Sequence, residues 1–228
     1  MKTRERDEAR RLRREQGRSV REIATLLEVS RSSVSLWVRD IELTPSQLAA
    51  LVRRNPRYTN QRKGSMANRE RSRTRRLDYQ RRGRELARRD NALYLAGCML
   101  WWAEGAKSRN AIRFTNSDPE MARLFVRFLS ESFGVRRDEI SIYCNLFADH
   151  ENRQREIEQY WLDRLELPPS SLRQSILNRY SKYSKKKRMN KLPYGTCRVV
   201  VYSTEIVQTM YGSIQEFAGF ERPEWLDC

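Results

Sequence analysis

The feature that most constrains this chain is a basic run between positions 53 and 90 that contains almost no large aliphatic side chain. It carries 15 basic against 4 acidic residues, whereas segments 1–52 and 91–228 carry 11 against 8 and 20 against 17. Because the run lacks a broad apolar stripe, it cannot bury a core of its own. The sequence therefore predicts a small N-terminal domain (1–52), a basic helical arm (53–90) and a larger C-terminal domain (91–228).

The net charge of the 228 residues is +17, which predicts a polyphosphate partner and binding that weakens steeply as salt rises. We interpret the arm as a helix that lies along DNA phosphates and orders on contact. The alternative is a solvated linker with incidental charge. Gly64 and Gly83 are expected to be points of bending within it.

Several classes of protein are disfavoured by the same sequence. The longest uncharged run, 91–103, is too short to cross a bilayer, and the charged N-terminus does not suit a signal peptide, so no membrane contact and a cytoplasmic, nucleoid-associated location are expected. Cys98, Cys144 and Cys197 are widely spaced and are expected to be buried apolar residues. Since His150 is the only histidine, the sequence disfavours a cysteine-histidine zinc site and a histidine-dependent catalytic triad.

Three helices are expected in the N-terminal domain. The first runs from Arg4 to Gln16 and ends at a glycine, and the second begins after Ser19. Ser30 can accept the free amide hydrogens at the start of the third, which we expect over Arg31–Asp40. Apolar residues at helical spacing point inward from the last two helices: Val20, Ile23, Leu26, Leu27, Val34, Trp37 and Val38.

The segment VREIATLLEVSRSSVSLWVRD (20–40) resembles the helix-turn-helix of resolvase-like and sigma-factor-like DNA-binding proteins. Glu28 stands where that turn usually has glycine, so it must adopt a left-handed conformation or distort the turn. The resemblance implies that the third helix reads the major groove. The expected DNA-binding residues are Arg21, Arg31, Ser32, Ser33, Ser35 and Arg39. The alternative is a three-helix packing module with a polar face.

The C-terminal domain opens with LYLAGCMLWWAEG (93–105), a helix that is apolar nearly all round, so both its faces must be buried. Small residues share one stripe, which ends in Glu104 at the helix C-terminus. The helix dipole opposes a negative charge there by about 0.3–1 kcal/mol, so Glu104 needs a compensating cation. That cation is either a metal ion or Lys107, one turn away.

This helix resembles the motif of the LAGLIDADG homing endonucleases. Leu95-Ala96-Gly97 matches its opening and Ala103-Glu104-Gly105 its acidic end, with two additional residues between them. The resemblance implies that two such helices pack side by side in a homodimer, through Leu93, Ala96, Gly97 and Leu100. It also implies that Glu104 is a catalytic, metal-binding carboxylate if the protein cleaves DNA, with Mg²⁺ as cofactor.

The rest of the domain alternates between helices and strands and predicts an α+β fold with an antiparallel sheet wide enough to span DNA. Strands are expected at 112–115, 139–147, 171–180 and 196–203, and helices at 119–133, 151–165 and 204–217. Asp118 before Pro119 is a typical helix start.

A second basic segment lies between the last two strands, where tyrosines are interleaved with cations. Cations can hold phosphates while tyrosines pack on sugars or bases, which predicts a second DNA contact; the alternative is a solvated hairpin. The predicted contacts are Arg179, Lys182, Lys185, Lys186, Lys187, Arg188 and Lys191.

Three functions remain open from the sequence. The favoured one is a sequence-specific double-stranded DNA-binding regulator without a cofactor, in which the C-terminal domain has lost cleavage. The second is an active Mg²⁺-dependent site-specific endonuclease. An RNA-binding protein is the third, since a basic arm and a tyrosine-bearing hairpin also suit RNA.

Overall fold

The structure is a computed structural model that describes residues 3–55, 57–178 and 192–226. Within these ranges it contains nine α-helices and a four-stranded sheet, the α+β composition that the sequence predicts. The chain forms two compact units, residues 1–71 and 72–228.

The first unit is helical, and side-chain caps fix where its helices begin. It contains α1 (Thr3–Gln16), α2 (Val20–Leu26), α3 (Arg31–Trp37), α4 (Pro45–Arg54) and the first part of α5 (Arg57–Ala87). Ser19 forms a reciprocal capping box with Glu22 at the start of α2, and Thr44 forms one with Gln47 at α4. Sequence analysis did not anticipate α4, because its short apolar pattern runs into the basic segment.

A small core joins α1, α2 and α3. Ala9, Ile23 and Val34 are fully buried in it, so the predicted inward stripe is confirmed at its centre. Leu26 departs from that stripe, because its side chain is 56% exposed. Glu28 has a φ of 52°. The turn before α3 therefore contains a residue in the left-handed conformation, which residues other than glycine rarely adopt.

The third helix is shorter than predicted, because it ends at Trp37 instead of Asp40. The guanidinium of Arg10 donates a hydrogen bond of 2.6 Å to the carbonyl oxygen of Trp37 and two more to the carboxylate of Asp40. These bonds hold the chain where it leaves the helix. Arg39 is exposed but lies beyond the end of α3.

Helix α5 is unbroken through both glycines that were expected to bend it. A Cβ at Gly83 would collide with the carbonyl oxygen of Thr209, and one at Gly212 would collide with the carbonyl oxygen of Gln80. The prediction of a bend at Gly83 is therefore wrong. Glycine is required there because the backbones of two helices, α5 and α9 (Thr204–Ala218), come into contact.

Hydrogen bonds between buried side chains extend this contact. The amide of Gln80 donates to Gln208 at 2.7 Å and accepts from Gln215 at 3.3 Å, while the Ser213 hydroxyl donates to the carbonyl oxygen of Gly83 at 2.8 Å. Arg76 donates to the carbonyl oxygen of Leu226 at 2.6 Å. The second half of the predicted arm is thus packed into the second unit.

The second unit is built on a sheet covered by helices. Its further elements are α6 (Ala92–Glu104), β1 (Ile112–Asn116), α7 (Pro119–Phe133), β2 (Ser141–Phe147), α8 (Gln154–Leu165), β3 (Ile176–Asn178) and β4 (Thr196–Val201). The strand order is β1-β4-β2-β3. Asp118 caps α7 by accepting from the backbone amides of Glu120 and Met121, as the Asp-Pro sequence predicts.

The sheet is mixed, which corrects the prediction of an antiparallel sheet. β4 runs antiparallel to β1 and β2, but β3 pairs parallel with β2. The reason is the connection, because α8 lies between β2 and β3 and such a crossover returns the chain in the same direction.

Helix α6 is buried on two sides by elements of its own chain. Trp101 and Cys98 are in the main core, and a Cβ at Gly97 would overlap the ring of Phe128 on α7. The small residue at 97 therefore serves packing within the chain, while the other residues of the predicted dimer stripe, Leu93, Ala96 and Leu100, are half-buried.

The three cysteines Cys98, Cys144 and Cys197 are buried and unpaired, as predicted from their spacing. Burial raises the pKa of Cys98 and of Cys144 to about 12, so both are protonated thiols at neutral pH. These residues contribute to packing as small apolar side chains.

We predict opposite effects of the same substitution at two glycines of α5. Gly83→Ala should lower the free energy of unfolding by about 1–3 kcal/mol, because the added methyl group forces the two helices apart. Gly64→Ala is the matched control: nothing lies within 4 Å of its Cβ position, and alanine should stabilise the helix by up to about 1 kcal/mol. Urea denaturation followed by tryptophan fluorescence measures both changes. Equal effects would mean that α5 and α9 are not in backbone contact.

Candidate nucleic-acid interface

The outward face of α3 is the first candidate surface. Arg31, Ser32 and Ser35 are exposed, Ser33 is half-exposed, and Val34 on the opposite side is fully buried. All four predicted contacts within this helix therefore reach solvent, although Arg39 follows the helix end. Arg21 is exposed on α2.

Two of the serines also help to begin the helix. The Ser30 hydroxyl accepts a hydrogen bond of 3.1 Å from the backbone amide of Ser33 and lies 2.9 Å and 2.8 Å from the hydroxyls of Ser32 and Ser33. Ser35 lies one turn further along. Beside it Leu36, which sequence analysis did not single out, places an apolar side chain with 59% exposure on the same polar face.

One ion pair holds the end of α3 against α1. The two terminal nitrogens of Arg10 lie 2.7 and 2.6 Å from the two oxygens of Asp40. A bidentate pair of this kind fixes orientation as well as distance. The hydrogen bonds from Arg10 lower the pKa of Asp40 to about 2.

We predict that this pair makes the first unit sensitive to acid. The pKa of Asp40 is lower in the folded protein than the usual 3.8, so the pair stabilises the fold above about pH 4, and this stabilisation is lost as the pH falls towards 2. Carboxyl chemical shifts across this range measure the pKa directly. Asp40→Asn should have lower thermal stability at pH 6 and match the wild type near pH 2. An Asp40 that titrates near its usual value would contradict the prediction.

The second candidate surface is one face of the sheet. In the described part of the second unit, α6, α7, α8 and α9 share a single core with the opposite face of the sheet. That covered face consists of Ile112, Phe114, Ile142, Cys144, Leu146, Cys197, Val199 and Val201. The alternate residues of the same strands point away from it.

Six of these alternate residues form what we call the open face: Arg113, Thr115, Tyr143, Asn145, Thr196 and Arg198. Val200 and Ser141, in the same row as Arg113, are buried and are not part of it. Strand register places Thr115, Arg198 and Tyr143 in one row across three strands. Arg113 is exposed and the other five are half-exposed. The four described strands contain no aspartate or glutamate, so the charge that the open face contributes is positive.

Hydrogen bonds order the open face. The Asn145 amide donates to the Thr196 hydroxyl at 3.0 Å, and Arg198 donates to the Asn145 oxygen at 3.4 Å. The side chain of Tyr143 is hydrogen-bonded to Tyr202, which raises the pKa of Tyr143 above its usual value. The open face thus holds donors, acceptors and phenol rings in fixed positions.

Sequence analysis missed this surface. The signal was the alternation of apolar and polar residues in IRFTN (112–116) and, less regularly, in TCRVVV (196–201). Such short strands do not reveal which of their faces the helices cover. Only the pairing in the sheet brings Arg113 and Arg198 to one side.

The predicted basic hairpin lies mostly outside the described residues, since positions 179–191 fall in the gap between 178 and 192. Tyr194, at its end, is described and stacks on Tyr160 of α8 with ring centroids 3.7 Å apart. The indole of Trp161 donates to the carbonyl oxygen of Tyr194 at 2.8 Å. Tyr194 therefore fastens the chain to α8.

Glu104 is exposed at the C-terminal end of α6. The nearby ammonium group of Lys107 donates to the carbonyl oxygens of Trp101, Trp102 and Gly105 at 3.0, 2.6 and 2.7 Å. Lys107 is thus a cation at this helix end, and its charge also attracts the carboxylate of Glu104.

The charge of Glu104 has a cation of the same chain beside it. The carboxylate of Glu104 shares its surroundings with an ammonium group. The described residues also contain no group of three histidine, cysteine, aspartate or glutamate side chains arranged to hold a metal.

Comparison of this chain with protein-family models, curated proteins and solved structures found no match. Among the described residues, no helix is long and apolar enough to cross a bilayer.

Proposed function

We propose that this protein is a sequence-specific double-stranded DNA-binding protein that acts as a transcriptional regulator. In this proposal α2 and α3 are a helix-turn-helix, and α3 enters the major groove. The second unit is a scaffold of LAGLIDADG type that binds DNA without cutting it. A protein with this role belongs in the cytoplasm, on the nucleoid.

The observation that carries the proposal is the outer face of α3. On its inner side Val34 is fully buried in the core, whereas Arg31, Ser32 and Ser35 project into solvent. Arginine and serine are side chains that read base edges, and a short helix with this pattern suits the width of the major groove. The firm attachment of its end by Arg10 and Asp40 supports the same role, since readout requires a fixed orientation.

The open face supports the proposal independently. Its six residues are polar or aromatic and include two arginines and no acidic residue, and they have the hydrogen-bonding side chains that contact phosphates and base edges. Ile176, paired with Asn145, places an exposed apolar side chain beside them. A two-stranded or wider sheet can enter or lie against a groove of DNA. The net charge of +17 supplies the long-range attraction that both surfaces need.

The experiment that tests the proposal begins with selection of a duplex from random-sequence DNA by the full-length protein. Ser35→Ala should weaken binding to the selected duplex by about 0.5–1.5 kcal/mol, because one hydrogen bond to a base is lost, and leave binding to random DNA unchanged. Thr25→Ala, at an exposed position of α2, is the control. Binding without any sequence preference would refute the readout by α3.

The selected duplex also distinguishes a regulator from a nuclease. Incubated with the protein and Mg²⁺, it should remain uncut. Cleavage that Glu104→Gln abolishes would show instead that the protein is a metal-dependent endonuclease. Stronger binding to single-stranded RNA than to the duplex would favour the RNA-binding alternative.

We predict that the open face contributes to the same complex. Arg198→Gln and Arg113→Gln should each weaken binding to the duplex and reduce the slope of log affinity against log salt by about 1. Arg127→Gln on α7 is the matched control, because Arg127 is exposed on a helix that covers the opposite face and pairs with Glu131 at 2.9 Å. If all three variants lose the same affinity, only total charge matters and the open face is not a contact surface.

A further inference from the structure

The first unit contains a basic cleft next to the start of α3. Its volume is about 550 Å³, and four arginines from four helices line it: Arg13, Arg21, Arg31 and Arg54. Within the sequence these residues are dispersed over 1–54. The fold brings them together around one space, which we call the arginine cleft.

One acidic residue also lines the cleft, and its charge is already engaged. Glu22 accepts a hydrogen bond of 2.6 Å from the backbone amide of Ser19, and its other oxygen lies 3.8 Å from Nε of Arg54. Burial opposes ionisation of Glu22, but these contacts outweigh burial and lower its pKa. With four arginines and one carboxylate, the cleft retains a strong excess of positive charge.

Arg13 has an unused donor in this unit. One terminal nitrogen donates to the carbonyl oxygen of Arg18 at 2.7 Å, but its Nε is buried and has no hydrogen-bond partner among the described residues. A buried donor without an acceptor costs about 1–3 kcal/mol, so an anion that reached it would recover this energy. Arg21, Arg31 and Arg54 are exposed and line the same cleft, and Arg54 also lies 3.8 Å from the carboxylate of Glu22.

We propose that the arginine cleft binds one phosphodiester group of the DNA backbone, with Arg13, Arg21 and Arg54 as its contacts. The inference rests on the proposed function, because it assigns a positioning contact to the same binding step. Guanidinium groups suit phosphate oxygens in charge and in planar, paired geometry. Arg31 is both a cleft residue and the first residue of α3, so a phosphate held here fixes where that helix enters the groove.

The test uses the full-length protein and the selected duplex, in which each phosphate in turn is replaced by a neutral methylphosphonate. At one position this replacement should weaken wild-type binding by about tenfold. Arg21→Gln should weaken binding of the unmodified duplex by a similar factor and make the protein indifferent to that one replacement. Arg54→Gln should behave in the same way, which guards against a folding defect of one variant.

The matched control is Arg4→Gln, which removes the same charge from an exposed position of α1 outside the cleft. The loss of binding free energy caused by Arg4→Gln should be the same whichever phosphate is replaced by a methylphosphonate. If the effects of Arg21→Gln and Arg54→Gln also add at every position, the cleft holds no phosphodiester, although DNA recognition by α3 stands.

If the proposed function is wrong, no duplex will be selected, and the assignment of a phosphodiester to the cleft is then wrong as well. In that case, the thermal unfolding temperature is measured in sodium pyrophosphate and in sodium chloride of equal ionic strength. Stabilisation by pyrophosphate that Arg21→Gln removes and Arg4→Gln preserves would assign the cleft to a free phosphate compound instead.

Discussion

The backbones of α5 and α9 touch because neither helix carries a side chain where they cross. Gly83 and Gly212 each lie against a carbonyl oxygen of the other helix, and the neighbouring polar groups of Gln80, Gln208 and Ser213 are then close enough to pair. Buried amides are costly unless they are hydrogen-bonded, so this network tolerates little displacement. The second half of α5, from residue 72 onward, is thereby part of the second unit.

The helices of the second unit leave part of the sheet exposed. Helices α6 to α9 share a core with one face, and the residues that alternate with that core are left for other uses. Arg113, Arg198 and Tyr143 on the open face do not belong to that core. In the proposed function, these side chains contact DNA.

Local patterns in the sequence predict much of this fold. Ser19, Ser30 and Asp118 mark helix starts that the structure contains, and the apolar pattern places Val34 and Trp101 inside. The prediction fails where distant residues decide the outcome. Gly83 is read locally as a bend, since nothing near it in the sequence indicates Thr209 as its neighbour. The direction of β3 likewise depends on the path of α8.

The candidate surfaces also differ in whether the sequence alone predicts them. The outer face of α3 can be predicted because it is one helix, with a period that the sequence displays. The open face and the arginine cleft cannot, because Arg113 and Arg198 meet only through strand register and Arg13 and Arg54 only through helix packing. Charge counts place most of the positive excess in 53–90, whereas both of these surfaces depend mainly on residues outside it.

The distance along the chain between α5 and α9 has a consequence for folding. Gln80 is separated from its partners Gln208 and Gln215 by 128 and 135 residues. In the first unit, by contrast, Arg10 of α1 and Asp40, which follows α3, are separated by only 30 residues. Long loops must close before such remote contacts stabilise anything, so they slow folding. The first unit should form early, while α5 lacks its buried partners until the residues of α9 have been synthesised.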